Sequence, residues 1–141
     1  MITTVGVFSN SEDAESALCE LLKISIPKRE ISYIYANSKK IARKKIIGEI
    51  CGYVTNAGRL NDIDSLQTSG LFSEKLGFVD NSISVGFVGA CDCFGVGEKD
   101  AKRFYEYVKG GDVLIFVCIQ TPDSKSIFAR THAREIQEYT K

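Results

Sequence analysis

The segment "CDCFG" holds the two side chains of this sequence that are best placed to act together. Cys91 and Cys93 could supply two thiolates to a metal, with Asp92 or His132 as a further ligand. The pair lacks the two-residue spacer typical of zinc knuckles, and no second cysteine pair follows it. In a strand both side chains would point the same way, a geometry that also permits redox sensing. We predict no metal site, with one cysteine facing the core and the other incidental.

His132 is the only histidine, and its spacing from neighbouring apolar residues places it on the apolar side of a last helix. A packed imidazole with one hydrogen bond fits that position better than a general base. The glycines of "GFVGACDCFGVG" fit neither common nucleotide-binding pattern. We therefore predict no catalytic residue and no cofactor.

A cluster of cations opens a predicted amphipathic helix near residue 40. It could bind an anionic ligand, an RNA backbone or lipid headgroups, whereas the simpler interpretation is a solvated charged face. Cations near a helix N-terminus oppose the macrodipole unless an anion is present, which favours a bound anion. The cluster consists of Lys39, Lys40, Arg43, Lys44 and Lys45.

Two pairs of glycines have spacings that allow close contact between helices. They are Gly48 with Gly52 and Gly86 with Gly89. We predict that they contribute to an interface, although such spacings also occur by chance in soluble chains.

Composition limits the class of protein. The chain has 141 residues, enough for one domain, and its 18 basic and 18 acidic side chains balance, so we expect no nucleic-acid partner. The longest apolar run, Val113 to Ile119, is far shorter than the roughly 20 residues that span a bilayer. Five cysteines indicate no disulfide framework. We expect a cytoplasmic protein without a membrane span.

The N-terminal residues 3 to 36 read as a β-α-β unit whose crossover suits a parallel pair of strands. "TTVGVF" and "ISYIYA" are the strands, and Ser9 with Glu12 has capping-box spacing at the helix start. The apolar stripe of the helix is predicted to contain Ala14, Ala17, Leu18, Leu21 and Leu22.

The C-terminal part repeats this order, so two βα halves are expected to share one sheet. A helix with Phe104 and Val108 on its apolar face ends at Gly110 and Gly111, and "DVLIFVCI" follows as a central strand buried on both faces. The last helix begins at Asp123 or Ser124, and its apolar face is predicted to hold Phe128, Ala129, His132, Ala133, Ile136 and Tyr139.

The middle of the chain is predicted to be an insertion, residues 37 to 82, in one domain whose core is residues 1 to 36 and 83 to 141. "SKKIARKKIIGEICGYVTNAG" keeps a helical period, and "RLNDIDSLQTSG" is polar and typical of a mobile loop. Residues 83 to 94 fit either a strand or a short helix. The fold class is therefore α/β, an α+β sandwich with a helical middle insertion.

The segments "VGVFSNSEDAESAL", "ISYIYA" and "VGFVGACDCFGVGEKDAKRFYEYVKGGDVLIFV" resemble, in order and spacing, the bacterial general stress protein domain, also called the heat-induced stress protein domain. The resemblance implies a mostly ferredoxin-like sheet packed by helices, a cytoplasmic stress-associated role and no catalytic residues. Family members commonly have a long Gly/Ala-rich middle, where this chain has the basic helix and "NDIDSLQTSG". The matching positions are Val88, Gly89, Gly95, Val96, Glu98, Asp100, Lys109, Gly110, Gly111 and Val113 to Val117.

We expect a non-enzymatic stress-associated module that self-associates or binds another protein, through an exposed sheet face or edge and the glycine-containing middle. One alternative is a regulatory domain that senses a small anionic ligand at Arg43, Lys44 or Lys45. A second is a thiol or metal-binding protein that uses Cys91 and Cys93.

Overall fold

A computed structural model describes residues 2–24, 26–36, 55–60, 64–76, 83–119 and 123–140. No described helix is long and apolar enough to cross a membrane. The elements are β1 (Ile2–Phe8), α1 (Ser11–Lys23), a 3-10 turn (Lys28–Glu30), β2 (Ile31–Ala36), β3 (Thr55–Arg59), β4 (Ser65–Thr68), α2 (Leu71–Leu76), α3 (Ile83–Cys93), α4 (Glu98–Lys109), β5 (Val113–Ile119), α5 (Asp123–Arg130) and β6 (Glu135–Thr140).

The described strands form one sheet in the order β3-β4-β2-β5-β1-β6, and neighbouring strands are antiparallel. Strands β1 and β2 run in the same direction, as predicted, but β5 lies between them and pairs with both. Strand β1 in turn lies between β5 and β6. Two split β-α-β units therefore interleave in the sheet, with β1 and β2 on either side of β5 and with β4 and β5 on either side of β2, and the α+β sandwich predicted from the sequence is confirmed.

Helices cover both faces of the central strands. On β5, Val113, Ile115 and Val117 face the layer formed by α1 and α5, whereas Leu114 and Phe116 face the layer formed by α2, α3 and α4. The predicted central strand, buried on both faces, is confirmed. Because the strand lacks polar alternation, each of its faces requires an apolar layer above it.

Helix α1 begins one residue later than its capping box predicts. Asn10, not Ser9, is the N-cap, and its Oδ1 accepts a 2.8 Å hydrogen bond from the backbone N–H of Asp13. The predicted stripe is buried as far as Leu21, but Leu22 is 50% exposed, so its assignment to the core was wrong. The N-cap determines where the helix begins, and packing against the sheet determines which of its residues are buried.

Helix α4 ends in the left-handed turn that its two glycines predict. Gly111 has φ +101°, and the backbone N–H of Asp112 donates to the carbonyl of Tyr107 while that of Gly111 donates to Val108. These two bonds form a Schellman motif, which satisfies carbonyls at the helix end and directs the chain into β5.

The segment predicted as a mobile loop, residues 59 to 70, instead contains β4 and the turn that leads into α2. The backbone N–H of Phe72 donates to Ser32 Oγ at 2.9 Å, and that of Tyr33 donates to Ser69 Oγ at 3.2 Å. Ser69 is a typical turn residue in the sequence, yet its hydroxyl and that of Ser32 on β2 accept the backbone bonds that join this segment to β2. The preceding prediction of helix is also wrong from Thr55 to Gly58, which belong to β3.

The last predicted helix stops at Arg130, and the residues after it form β6. His132 adopts φ +67°, and the backbone N–H of Ala133 donates to the carbonyl of Phe128. Residues Ile136 and Tyr139 therefore lie on a strand rather than on a helix face, so that part of the prediction was wrong. Their three-residue spacing is that of a helix face, whereas in the strand it places them on opposite faces of the sheet, and neither glycine nor proline marks the break.

Candidate functional site

Residues 83 to 93 form helix α3, and the two cysteines of "CDCFG" lie on different sides of this helix. Cys91 is fully buried in the core and Cys93 is exposed. Burial, with a smaller contribution from Cys93, raises the pKa of the Cys91 thiol well above its ordinary range, so this thiol stays protonated. In the described residues no group of three or more histidine, cysteine or carboxylate side chains could hold a metal.

His132 lies on the exposed turn between α5 and β6 rather than on an apolar helix face. Its left-handed backbone ends α5, because the backbone N–H of His132 donates to the carbonyl of Ala129 at 3.4 Å. The residue acts as a helix terminator.

The predicted anion site, formed by Lys39, Lys40, Arg43, Lys44 and Lys45, and the glycines Gly48 and Gly52 lie outside the described residues. Gly86 and Gly89 both lie on α3, where Gly86 is buried and Gly89 is exposed. A Cβ added to Gly89 would meet nothing within 4 Å. Packing within the described chain therefore does not require glycine at position 89.

A polar cluster joins α4 to the edge strand β6, and we call it the α4–β6 cluster. Arg103 donates from Nη1 to Asp100 Oδ1 and from Nη2 to Glu135 Oε2, each at 2.6 Å. The hydroxyls of Tyr107 and Tyr139 donate to Glu135 Oε1 and Asp100 Oδ2, each at 2.8 Å. Each carboxylate thus accepts from the arginine and from one tyrosine.

The pKa shifts in this cluster are those expected of groups that hold the structure together. The hydrogen bond from Tyr139, followed by that from Arg103, lowers the pKa of Asp100. Burial opposes ionisation of Glu135, but the bonds from Arg103, Tyr107 and Gln137 outweigh it and lower its pKa. Burial and the bond to Asp100 raise the pKa of Tyr139. These shifts move the groups away from neutral pH, the opposite of what acid-base catalysis needs.

One concave feature of the described residues is the α3–α4 groove, a cleft of about 600 Å³ between the two helices. Val85, which is 64% exposed, and Val88 come from α3, and Tyr105 comes from α4. The lining is completed by Ser84, Glu98, Lys102, Glu106 and Lys109. An apolar strip bordered by charged side chains is the composition of many association sites.

The charges along the groove balance in pairs. Glu98 Oε1 lies 2.9 Å from Lys102 Nζ, and Glu106 Oε1 lies 3.8 Å from Lys109 Nζ. The Lys109 ammonium also lies 5.7 Å from the centroid of the Tyr105 ring. The four charged groups lie on an exposed side of α4, and Tyr105 lies between them and the buried side formed by Ala101, Phe104 and Val108.

Sequence reasoning missed this groove. The Glu98 to Lys102 spacing of four residues is a visible signal of a charged helix face. The position of Val85 depends on whether residues 83 to 94 are helix or strand, which periodicity alone left open. Without that assignment, neither the groove nor its apolar wall can be derived.

Comparisons with protein-family models, with curated proteins and with solved structures found no match for this chain.

Proposed function

We propose that this protein is a non-enzymatic, cytoplasmic association module that self-associates through the α3–α4 groove. The observation that carries the proposal is Val85, an aliphatic side chain 64% exposed at the rim of a cleft that also contains Val88 and Tyr105. Exposing such a side chain beside other apolar groups forgoes burial energy that an association would recover.

The state of the ionisable groups supports a non-enzymatic role. In the α4–β6 cluster, both carboxylates accept hydrogen bonds from Arg103 and from a tyrosine. A catalytic group needs a free atom to meet substrate and a pKa close to the working pH. Neither Asp100 nor Glu135 has these properties.

The sheet offers less surface than the groove. Strands β2 and β5 and most of β1 are buried on both faces, which leaves the edge strands β3 and β6 as the alternative surfaces of the sheet. A stress-associated role is the part of the proposal that rests on the sequence resemblance of residues 5 to 18, 31 to 36 and 85 to 117.

Native mass spectrometry at two protein concentrations tests the proposal. We expect a homo-oligomer whose population increases with concentration and decreases in Val85→Glu. Leu22→Glu is the matched control, because Leu22 is a 50% exposed aliphatic residue on α1, across the sheet from the groove. A wild-type monomer at both concentrations, or equal loss of oligomer in the two variants, would contradict the proposal.

A further inference from the structure

We infer that two copies pair about a two-fold axis through the α3–α4 groove, with their α4 helices antiparallel and Glu98 of each copy opposite Lys109 of the other. This inference rests on the proposed self-association and adds the orientation and register of the two copies. It is carried by the order of charges along α4.

The groove side of α4 is a single continuous stripe. At 3.6 residues per turn, Glu98 and Lys109 point within about 20° of each other and are separated by roughly 16 Å along the axis. Lys102, Tyr105 and Glu106 lie between them on the same side, and all five line the groove. A second helix laid along this stripe would therefore meet all five side chains.

The charges on the stripe read acid, base, acid, base from Glu98 through Lys102 and Glu106 to Lys109. Reversing the direction of the stripe exchanges acids and bases. In an antiparallel pair Glu98 therefore faces Lys109, and Lys102 faces Glu106, on both sides of the axis. A parallel pair in register would place like charges opposite each other, which is unfavourable. The stripe is thus complementary to a reversed copy of itself, as a two-fold interface requires.

The apolar residues occupy the centre of this arrangement. Tyr105 lies between the charged residues of α4, and Val85 and Val88 border it from α3. Protein interfaces usually have desolvated apolar groups at their centre and charged groups around them. Helix α4 is only about 18 Å long, so the contact lies at the small end of specific interfaces and we expect a weak dimer that depends on concentration and salt.

A charge-exchange experiment tests the register on the whole chain. By sedimentation equilibrium, Glu98→Lys and Lys109→Glu are each expected to raise the dimer dissociation constant about tenfold or more, because each homodimer would contain two like-charge contacts. An equimolar mixture of the two variants restores both contacts, and so does the double variant, so both are expected to dimerise within about threefold of wild type.

Matched controls come from α1, where Glu12 and Lys23 occupy the first and last turns as Glu98 and Lys109 do in α4. Glu12→Lys and Lys23→Glu make the same changes in charge, at the same two ends of a helix, as Glu98→Lys and Lys109→Glu. They are expected to leave the dimer dissociation constant unchanged. A wild-type dimer that tolerates Glu98→Lys and Lys109→Glu, or that the mixture fails to restore, overturns this register while self-association stands. A wild-type monomer at every concentration overturns both proposals.

Discussion

Arg103 on α4 and Glu135 on β6 form an ion pair, with 2.6 Å between Nη2 and Oε2, that fastens the edge strand to the helical layer. Both side chains are largely shielded from solvent, and the second Arg103 nitrogen holds Asp100. Strand β6 pairs with a single strand, β1, so these side-chain bonds supply the attachment that a second neighbouring strand would otherwise provide.

We expect the stability of the protein to fall in acid because of this cluster. Folding lowers the pKa values of Asp100 and Glu135 from ordinary values of 3.8 and 4.5. Ionised carboxylates therefore stabilise the fold above those values, and this contribution disappears as the pH falls through the lowered pKa values. In urea unfolding at pH 7 and pH 3, Glu135→Gln should be less stable than wild type by about 1–2 kcal/mol at pH 7 and lose less on acidification.

The control is Glu74→Gln, which removes an exposed carboxylate on α2, outside both the cluster and the groove. It should reproduce the wild-type difference in unfolding free energy between the two pH values. If Glu135→Gln showed that same difference, the cluster would not be the origin of the acid sensitivity.

Replacing His132 with glycine is expected to stabilise the protein. The residue has φ +67° in the turn that ends α5, a conformation that costs an L-residue roughly 1 kcal/mol and glycine much less. We expect the thermal midpoint of His132→Gly to rise, corresponding to about 0.5–1 kcal/mol. His132→Ala, which keeps a Cβ, should gain nothing. A large loss of stability in His132→Gly would indicate that the imidazole makes a structural contact.

How far the fold follows from the sequence depends on how many structures each pattern allows. The apolar run of β5 and the amphipathic period of α4 each fit one structure, and both predictions are confirmed. Residues 131 to 140 have the apolar spacing of a helix, but residues 135 to 140 form a strand because they pair with β1, a pairing that the sequence does not display. A local pattern is therefore sufficient only where no distant strand competes for the segment.

The same limit applies to the site. The α4 half of the groove is visible as alternating charges, but its α3 half required knowing that small residues such as Gly86 and Ala90 pack a helix against α4 and the sheet. Phe72 is a similar case, because the polar segment before it resembles a loop while its ring packs against Phe87, Phe94 and Phe116.

The two cysteines of α3 should differ strongly in reactivity. Cys93 is exposed, whereas Cys91 is buried with a raised pKa, and the thiolate is the reactive form. Peptide mapping after brief iodoacetamide treatment should find Cys93 alkylated and Cys91 intact until the protein is unfolded in urea. Equal labelling of both under native conditions would contradict the burial of Cys91.

A pair of glycine substitutions distinguishes a position that requires glycine from one that does not. A Cβ on Gly70 would lie 2.0 Å from the carbonyl oxygen of Ile31, and its φ of +75° already disfavours other residues. Relief of that overlap would separate the turn before α2 from β2, so Gly70→Ala should lose about 3 kcal/mol or more, measured by urea unfolding.

Gly89→Ala is the matched substitution. It lies inside α3 with open space around the added methyl, so the lower backbone entropy of alanine in the unfolded chain should stabilise the protein by about 0.5–1 kcal/mol. Opposite signs for the two alanine variants are the expected result. Equal and small effects would mean that residues 64 to 76 do not dock on β2 as described, because only that docking brings the Ile31 carbonyl against Gly70.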